Sequence, residues 1–155
     1  VKAPFLVFVP LPMGQTLNLP DATGSKREFT PIPAYHVVPT SGYRLSSEHG
    51  SLLFSGDTGS HSALWEQVAA TPDLRHLLVE CSYACAQSDI ASASRHFYTA
   101  ELAADLTGLT LDAEIWITHL KPGAEDEIMV ELHALLTLEM AKSVHRLIEG
   151  QTLEI

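Results

Sequence analysis

No stretch of this sequence is apolar for the roughly 18–20 residues that a membrane-spanning helix requires. Its longest apolar runs, Phe5–Val9 and Leu52–Phe54, have the length of strands. A helical membrane span is excluded. Basic residues are scarce: 9 Lys and Arg stand against 19 Asp and Glu, a formal charge of −10. Apart from Lys26-Arg27 they are scattered singly, so no basic patch offsets the repulsion of a long polyanion. Nucleic acid is disfavoured as a partner, whereas a small anion held by metal ions needs no basic protein. Cysteine is reduced to Cys81 and Cys85, a CxxxC spacing without the second pair that a structural zinc site uses. Both are read as reduced, partly buried side chains. Repeats and low-complexity tracts are absent. The chain opens Val1-Lys2-Ala3, with neither a signal-peptide pattern nor a transit peptide. The expected compartment is the cytoplasm, with the periplasm as the alternative.

What remains is ordinary globular material. The 155 residues are 46% hydrophobic and 18% charged, enough for one domain with a core. Strands are expected at Phe5–Val9, Ala34–Val38, Tyr43–Leu45, Leu52–Phe54, Leu77–Val79 and Glu114–Thr118. Residues 10–31, rich in Pro, Gly, Thr and Asn, read as a long loop, and 83–95 as a polar loop. Helices are expected at Ser62–Ala70, at Thr99–Leu106 before Gly108, and from Glu125 with Ile128, Leu132, Leu135 and Leu136 on one face. Leu153–Ile155 reads as an edge strand. Strands followed by alternating strand and helix give an α/β or α+β arrangement.

Eight histidines are many for such a chain, and polar groups recur just past strand ends: Asp57, Glu80 and His119. Residues at neighbouring strand ends converge on one edge of a sheet, where ligand and metal sites are built. Imidazole and carboxylate donors such as His36, Asp57 and His119 suit zinc and similar divalent ions. Taken singly, each is more often a turn residue or a satisfied partly buried one. His61, two residues beyond the Gly56-Asp-Thr-Gly59 loop, could face a substrate. His49, His76, His133 and His145 read as surface or packing residues, and Trp65 and Trp116 as core.

Three segments occur together in order: His36-Val-Val-Pro-Thr-Ser-Gly-Tyr-Arg-Leu45, Leu52-Leu-Phe-Ser-Gly-Asp-Thr-Gly59 and Ile117-Thr-His-Leu-Lys-Pro-Gly123. Between them lie Val79-Glu-Cys-Ser-Tyr83 and Ser94-Arg-His-Phe-Tyr-Thr-Ala-Glu-Leu102. The combination resembles the metallo-β-lactamase superfamily, and within it the class II cyclic nucleotide phosphodiesterases. The resemblance runs from Ile32 to Leu132. It implies an αββα sandwich and hydrolysis of a 3′,5′-cyclic nucleotide, cyclic AMP foremost, to the 5′-nucleotide by a hydroxide bridging two divalent metal ions. Zinc is the expected metal, with manganese or iron as alternatives. His36 and His119 are the implied metal ligands and Asp57 the bridging one. His96 is the implied general acid for the leaving oxygen, with Glu80 orienting it.

The sequence departs from that pattern twice. Arg95 stands where the family carries glycine before the acid, and the His-x-His-x-Asp-His string is missing. Three donors are too few for two ions. The chain is therefore expected to be a single C-terminal half-domain over 1–155, its N-terminal half supplied in cis or in trans. Its uncovered sheet face would make it adhesive, or a homodimer. Two alternatives stand beside the phosphodiesterase: a tRNA 3′-end processing nuclease of the same superfamily, and an inert half-domain acting in assembly.

Overall fold

The computed structural model describes residues 6, 8–20 and 24–155. Seven strands form one sheet in sequence order: β1 (Leu17–Pro20), β2 (Lys26–Pro33), β3 (Ser41–Ser46), β4 (Ser51–Phe54), β5 (Leu74–Glu80), β6 (Glu114–Thr118) and β7 (Val144–Arg146). β1 to β4 pair antiparallel, and β4 to β7 pair parallel. Helices occupy the crossovers: α1 (Ser62–Ala69), α2 (Ser88–Ser94), α3 (Thr99–Thr107), α4 (Glu125–Leu135) and α5 (Leu138–Lys142). Parallel neighbours require such crossovers, which is why helices appear only after β4.

Alternation along the strands divides the sheet into two faces. Leu53, Leu77, Val79, Ile115, Ile117 and Val144 meet Leu64 and Val68 of α1, Leu102 and Leu106 of α3, and Ile128 and Leu132 of α4 in one core. All are 2% exposed or less, and burying each such side chain stabilises the fold by about 1.5–3 kcal/mol. Leu52, Phe54, Leu78 and Trp116 lie on the other face, half-buried and outside that core. The mixed α/β class is as expected, with one seven-stranded sheet and its helices.

Five expectations need correction, the first being Trp116, expected in the core but half-buried on the other face of the sheet. The loop expected over residues 10–31 contains the β1–β2 hairpin, with Leu17 opposite Phe29 and Asn18 opposite Glu28. The strand expected over Ala34–Val38 is irregular chain, with Val37 54% and Val38 57% exposed, because β2 has already ended at Pro33. The polar loop before Arg95 holds a 3-10 turn at Cys85–Gln87 and then α2. The strand expected at Leu153–Ile155 is an unpaired tail tied by Arg27 to the Ile155 carbonyl oxygen and by His76 to that of Glu154, and β7 takes the edge instead. The run at Phe5–Val9 lies partly outside the described residues, and Leu6, Phe8 and Val9 are exposed and in no strand. Both cysteines are free thiols, Cys81 buried.

Candidate metal centre

The parallel register sets the site. Phe54 lies beside Leu78, and Glu80 beside Thr118, so the carboxyl ends of β4, β5 and β6 share one edge. The chain leaves those ends as Ser55-Gly-Asp-Thr-Gly59, Glu80-Cys-Ser82 and His119. Gly56 turns with φ +66°, a left-handed conformation in which glycine is unstrained. Thr58, fully buried, donates from its backbone N–H to Glu80 Oε1 at 2.8 Å and accepts from the Tyr35 N–H at 2.9 Å. The loop thereby gathers the ends of β4 and β5 and the segment after β2 around one point.

Asp57 and His119 come together there, Oδ1 to Nδ1 at 3.2 Å, with Asp57 44% and His119 38% exposed. The three rings of His36, His96 and His119 follow one another, with centroids 4.6 Å apart for the first pair and 5.0 Å for the second. His36 reaches the group from the irregular chain after β2, and its Nδ1 faces the Arg95 carbonyl oxygen at 3.2 Å. A carbonyl only accepts, so Nδ1 carries the proton and Nε2 is left with its lone pair.

Glu80 and His96 form a buried pair, Oε1 to Nδ1 at 2.6 Å. Burial pushes the Glu80 carboxyl up to about 8, against the opposing bonds from Thr58 and Ser82. Burial, then the neighbouring His119 and His36, pushes His96 down to about 4. Both shifts favour the neutral pair, in which the carboxyl proton is shared with Nδ1 and the ring N–H of His96 stands at Nε2. The Ser82 hydroxyl lies 3.1 Å from Glu80 Oε2, 3.4 Å from His96 Nδ1 and 3.2 Å from both His119 Nδ1 and the His119 carbonyl oxygen. Ser82 belongs to the Val79-Glu-Cys-Ser-Tyr83 segment, in which nothing local marks it as a site residue. Its one signal is its place between a strand-end carboxylate and the site histidines.

The two non-glycine residues with positive φ among the described residues are Arg95 (55°) and His119 (59°), and both belong to this group. Such backbone strain concentrates at functional sites. His61 stands apart, its Nε2 buried without a hydrogen-bond partner and its ring 6.3 Å from that of Tyr35. A cleft of about 600 Å³ lined by Lys26, Arg44 and Asp73 lies at the opposite strand ends, near Ser51.

Among the described residues the one group of three donors whose ligand atoms all lie within 4.8 Å of one another is Glu80, His96 and His119; the expected set of His36, Asp57 and His119 shares only His119 with it. The two sets differ in what already occupies the donors. Both Glu80 oxygens and Nδ1 of His96 are engaged within the protein. Asp57 is half-exposed with its Oδ1 3.2 Å from His119 Nδ1, and the hydrogen bond of the His36 ring is made by Nδ1. The chemistry of Asp57, His36 and His119 fits a divalent ion in kind, while their number falls short of two complete coordination shells.

Solved structures of known proteins share this arrangement of strands and helices. YhfI of Bacillus subtilis, a metallo-β-lactamase fold protein, is 17% identical, with TM-score 0.69 over 94% of this chain and 55% of its own. The short form of human tRNase Z is 15% identical, with TM-score 0.57 over 90% and 47%. Igni18, a metallo hydrolase from Ignicoccus hospitalis, is 13% identical, with TM-score 0.65 over 94% and 59%. This chain has the metallo-β-lactamase fold. It spans only 47–59% of the lengths of these three proteins. No family model and no curated protein sequence matches it. Within the metallo-β-lactamase fold seen here, the donors sit at the carboxyl edge of one seven-stranded sheet.

Proposed function

We propose that this chain is the C-terminal half of a metal-dependent phosphodiesterase that opens a 3′,5′-cyclic nucleotide, cyclic AMP foremost, to the 5′-nucleotide. The observation that carries the reading is the meeting of the Asp57–His119 pair, at 3.2 Å, with the Glu80–His96 pair, at 2.6 Å. An ion-binding carboxylate and a held proton donor at one edge are what phosphodiester hydrolysis requires.

In this reading His36, Asp57 and His119 hold divalent ions, zinc foremost, and an N-terminal half carrying His-x-His-x-Asp-His completes their shells in cis or in trans. Bound there, two ions supply Lewis-acid polarisation of the phosphoryl group and a water acidic enough to attack at neutral pH. Asp57 has two oxygens and can serve both ions. Water oxygen bonds to phosphorus as the bond to the ribose 3′ oxygen breaks. His96 would give its Nε2 proton to that departing oxygen as Nδ1 takes up the carboxyl proton of Glu80, and the proton shed by the attacking water balances the one Glu80 gives up. The partly exposed Asp57 and His119 face the incoming phosphate, while Glu80 stays 1% exposed behind them. The half-buried face of Leu52, Phe54, Leu78 and Trp116 supports a second sheet as the covering partner.

Similarity to tRNase Z supports a second reading, a nuclease for tRNA 3′ ends. The charge of −10 weighs against so large a polyanion. The chain joined to an N-terminal half bearing the missing string is expected to convert cyclic AMP to 5′-AMP. Asp57→Ala is expected to lower that rate by more than about 100-fold, since loss of mere outer partners of a ligand costs 10–100-fold. Cleavage of precursor tRNA with no turnover of cyclic nucleotides, or full activity in Asp57→Ala, would defeat the proposal.

A further inference from the structure

Arg95 is misplaced by the ordinary rules of backbone conformation. It ends α2 with φ 55° and ψ 53°, a left-handed residue immediately before His96. Glycine occupies such positions without strain, and a long side chain does not. What the arginine does there is visible in its contacts. Its carbonyl oxygen accepts from His36 Nδ1 at 3.2 Å, and its Nη1 donates to the His36 carbonyl oxygen at 3.0 Å. Its guanidinium lies 4.4 Å over the ring of Tyr35, the residue before His36. The opposite side of that segment is tied to the loop bearing Asp57, with Gly59 N–H donating to the Tyr35 carbonyl oxygen at 3.0 Å.

We infer that Arg95 is a positioning residue that clamps His36, fixing its ring as the Nδ1–H tautomer and presenting Nε2 as the donor atom. The inference rests on the reading of His36 as a metal ligand, and it adds the part that sets that ligand. Two reciprocal bonds between the same two residues leave the His36 backbone and ring little freedom to turn separately. The backbone bond fixes which nitrogen carries the proton. The guanidinium bond, steadied by the Tyr35 ring, fixes where the carbonyl oxygen of residue 95 can stand. Because Arg95 also turns the chain into His96, one residue sets the spacing between the implied ligand and the implied proton donor. A glycine here would supply the turn without the clamp.

Arg95→Gly separates these roles, because it relieves the left-handed strain while removing the guanidinium. The whole 155-residue chain is used, with side-chain ¹⁵N shifts of His36 reporting the tautomer and Zn²⁺ alone as the binding probe. The parent is expected to hold His36 as Nδ1–H. Arg95→Gly is expected to give a mixture of both tautomers and a Zn²⁺ affinity about 10-fold weaker, with a melting temperature equal to or above the parent's. A merely structural arginine would instead lower the melting temperature and leave the tautomer alone. An unchanged His36 tautomer in Arg95→Gly overturns the clamp whatever the metal does. A shifted tautomer with unchanged Zn²⁺ affinity overturns its bearing on the ligand. A parent that binds no Zn²⁺ means that the donors of the N-terminal half are required for affinity, and the tautomer then decides the clamp alone, since that measurement needs no metal.

Discussion

Glu80→Ala is expected to destabilise the fold by about 3 kcal/mol, the scale of breaking a buried polar network by removing one member. The carboxyl is 1% exposed and bonded to the Thr58 N–H, the Ser82 hydroxyl and the His96 ring. Alanine leaves the Thr58 donor buried without a partner, frees the His96 ring and opens a cavity beneath the site. At this chain length the loss corresponds to a melting temperature lower by about 10 °C. Glu80→Gln keeps the shape and an acceptor for Thr58, and is expected to cost only about 1 kcal/mol. Urea unfolding of the three proteins checks both figures. If Glu80→Ala unfolds at the same urea concentration as the parent, the network does not exist as described.

Gly56→Val is expected to destabilise by about 2–4 kcal/mol and to shift Asp57, its neighbour. Two causes add. The residue has φ +66°, which a β-branched side chain resists. A Cβ placed there would also stand 2.7 Å from the Ser41 carbonyl oxygen, a backbone atom that cannot swing aside. Gly123 separates the two causes, having φ +87° with nothing within 4 Å of an added Cβ. Gly123→Val should therefore cost only the conformational part, about 1–2 kcal/mol. Thermal melts of both variants should differ by the steric part alone. Equal losses would mean that the approach of Ser41 to Gly56 carries no energy.

The legible parts of this sequence were those in which local pattern and final environment agree. β6 falls where Glu-Ile-Trp-Ile-Thr alternates, and Asp57 and His119 follow, and Glu80 ends, strands of which one face is core. Their convergence needed only the parallel register. The hairpin was hidden by its prolines. Pro31 and Pro33 sit in β2 beyond the reach of β1, whose pairing covers only Lys26–Phe29. On that free side a missing N–H interrupts no ladder. α2 was hidden by having no apolar stripe, since Ala91 is its one buried residue. Val37 and Val38 misled in the other direction, because β-branched residues on an exposed connection look like strand. His36 thus belongs to a loop held by Arg95 and Thr58, through contacts between residues far apart in sequence that no local pattern encodes.

The most direct test of the account is the metal content of the protein purified without chelator. With an N-terminal half supplying the missing donors, about two equivalents of zinc, manganese or iron per chain are expected. Asp57→Ala should lose most of that metal while its far-UV circular dichroism stays that of the parent. Metal absent from the assembled protein, or retained in full by Asp57→Ala, would contradict a centre built on His36, Asp57 and His119.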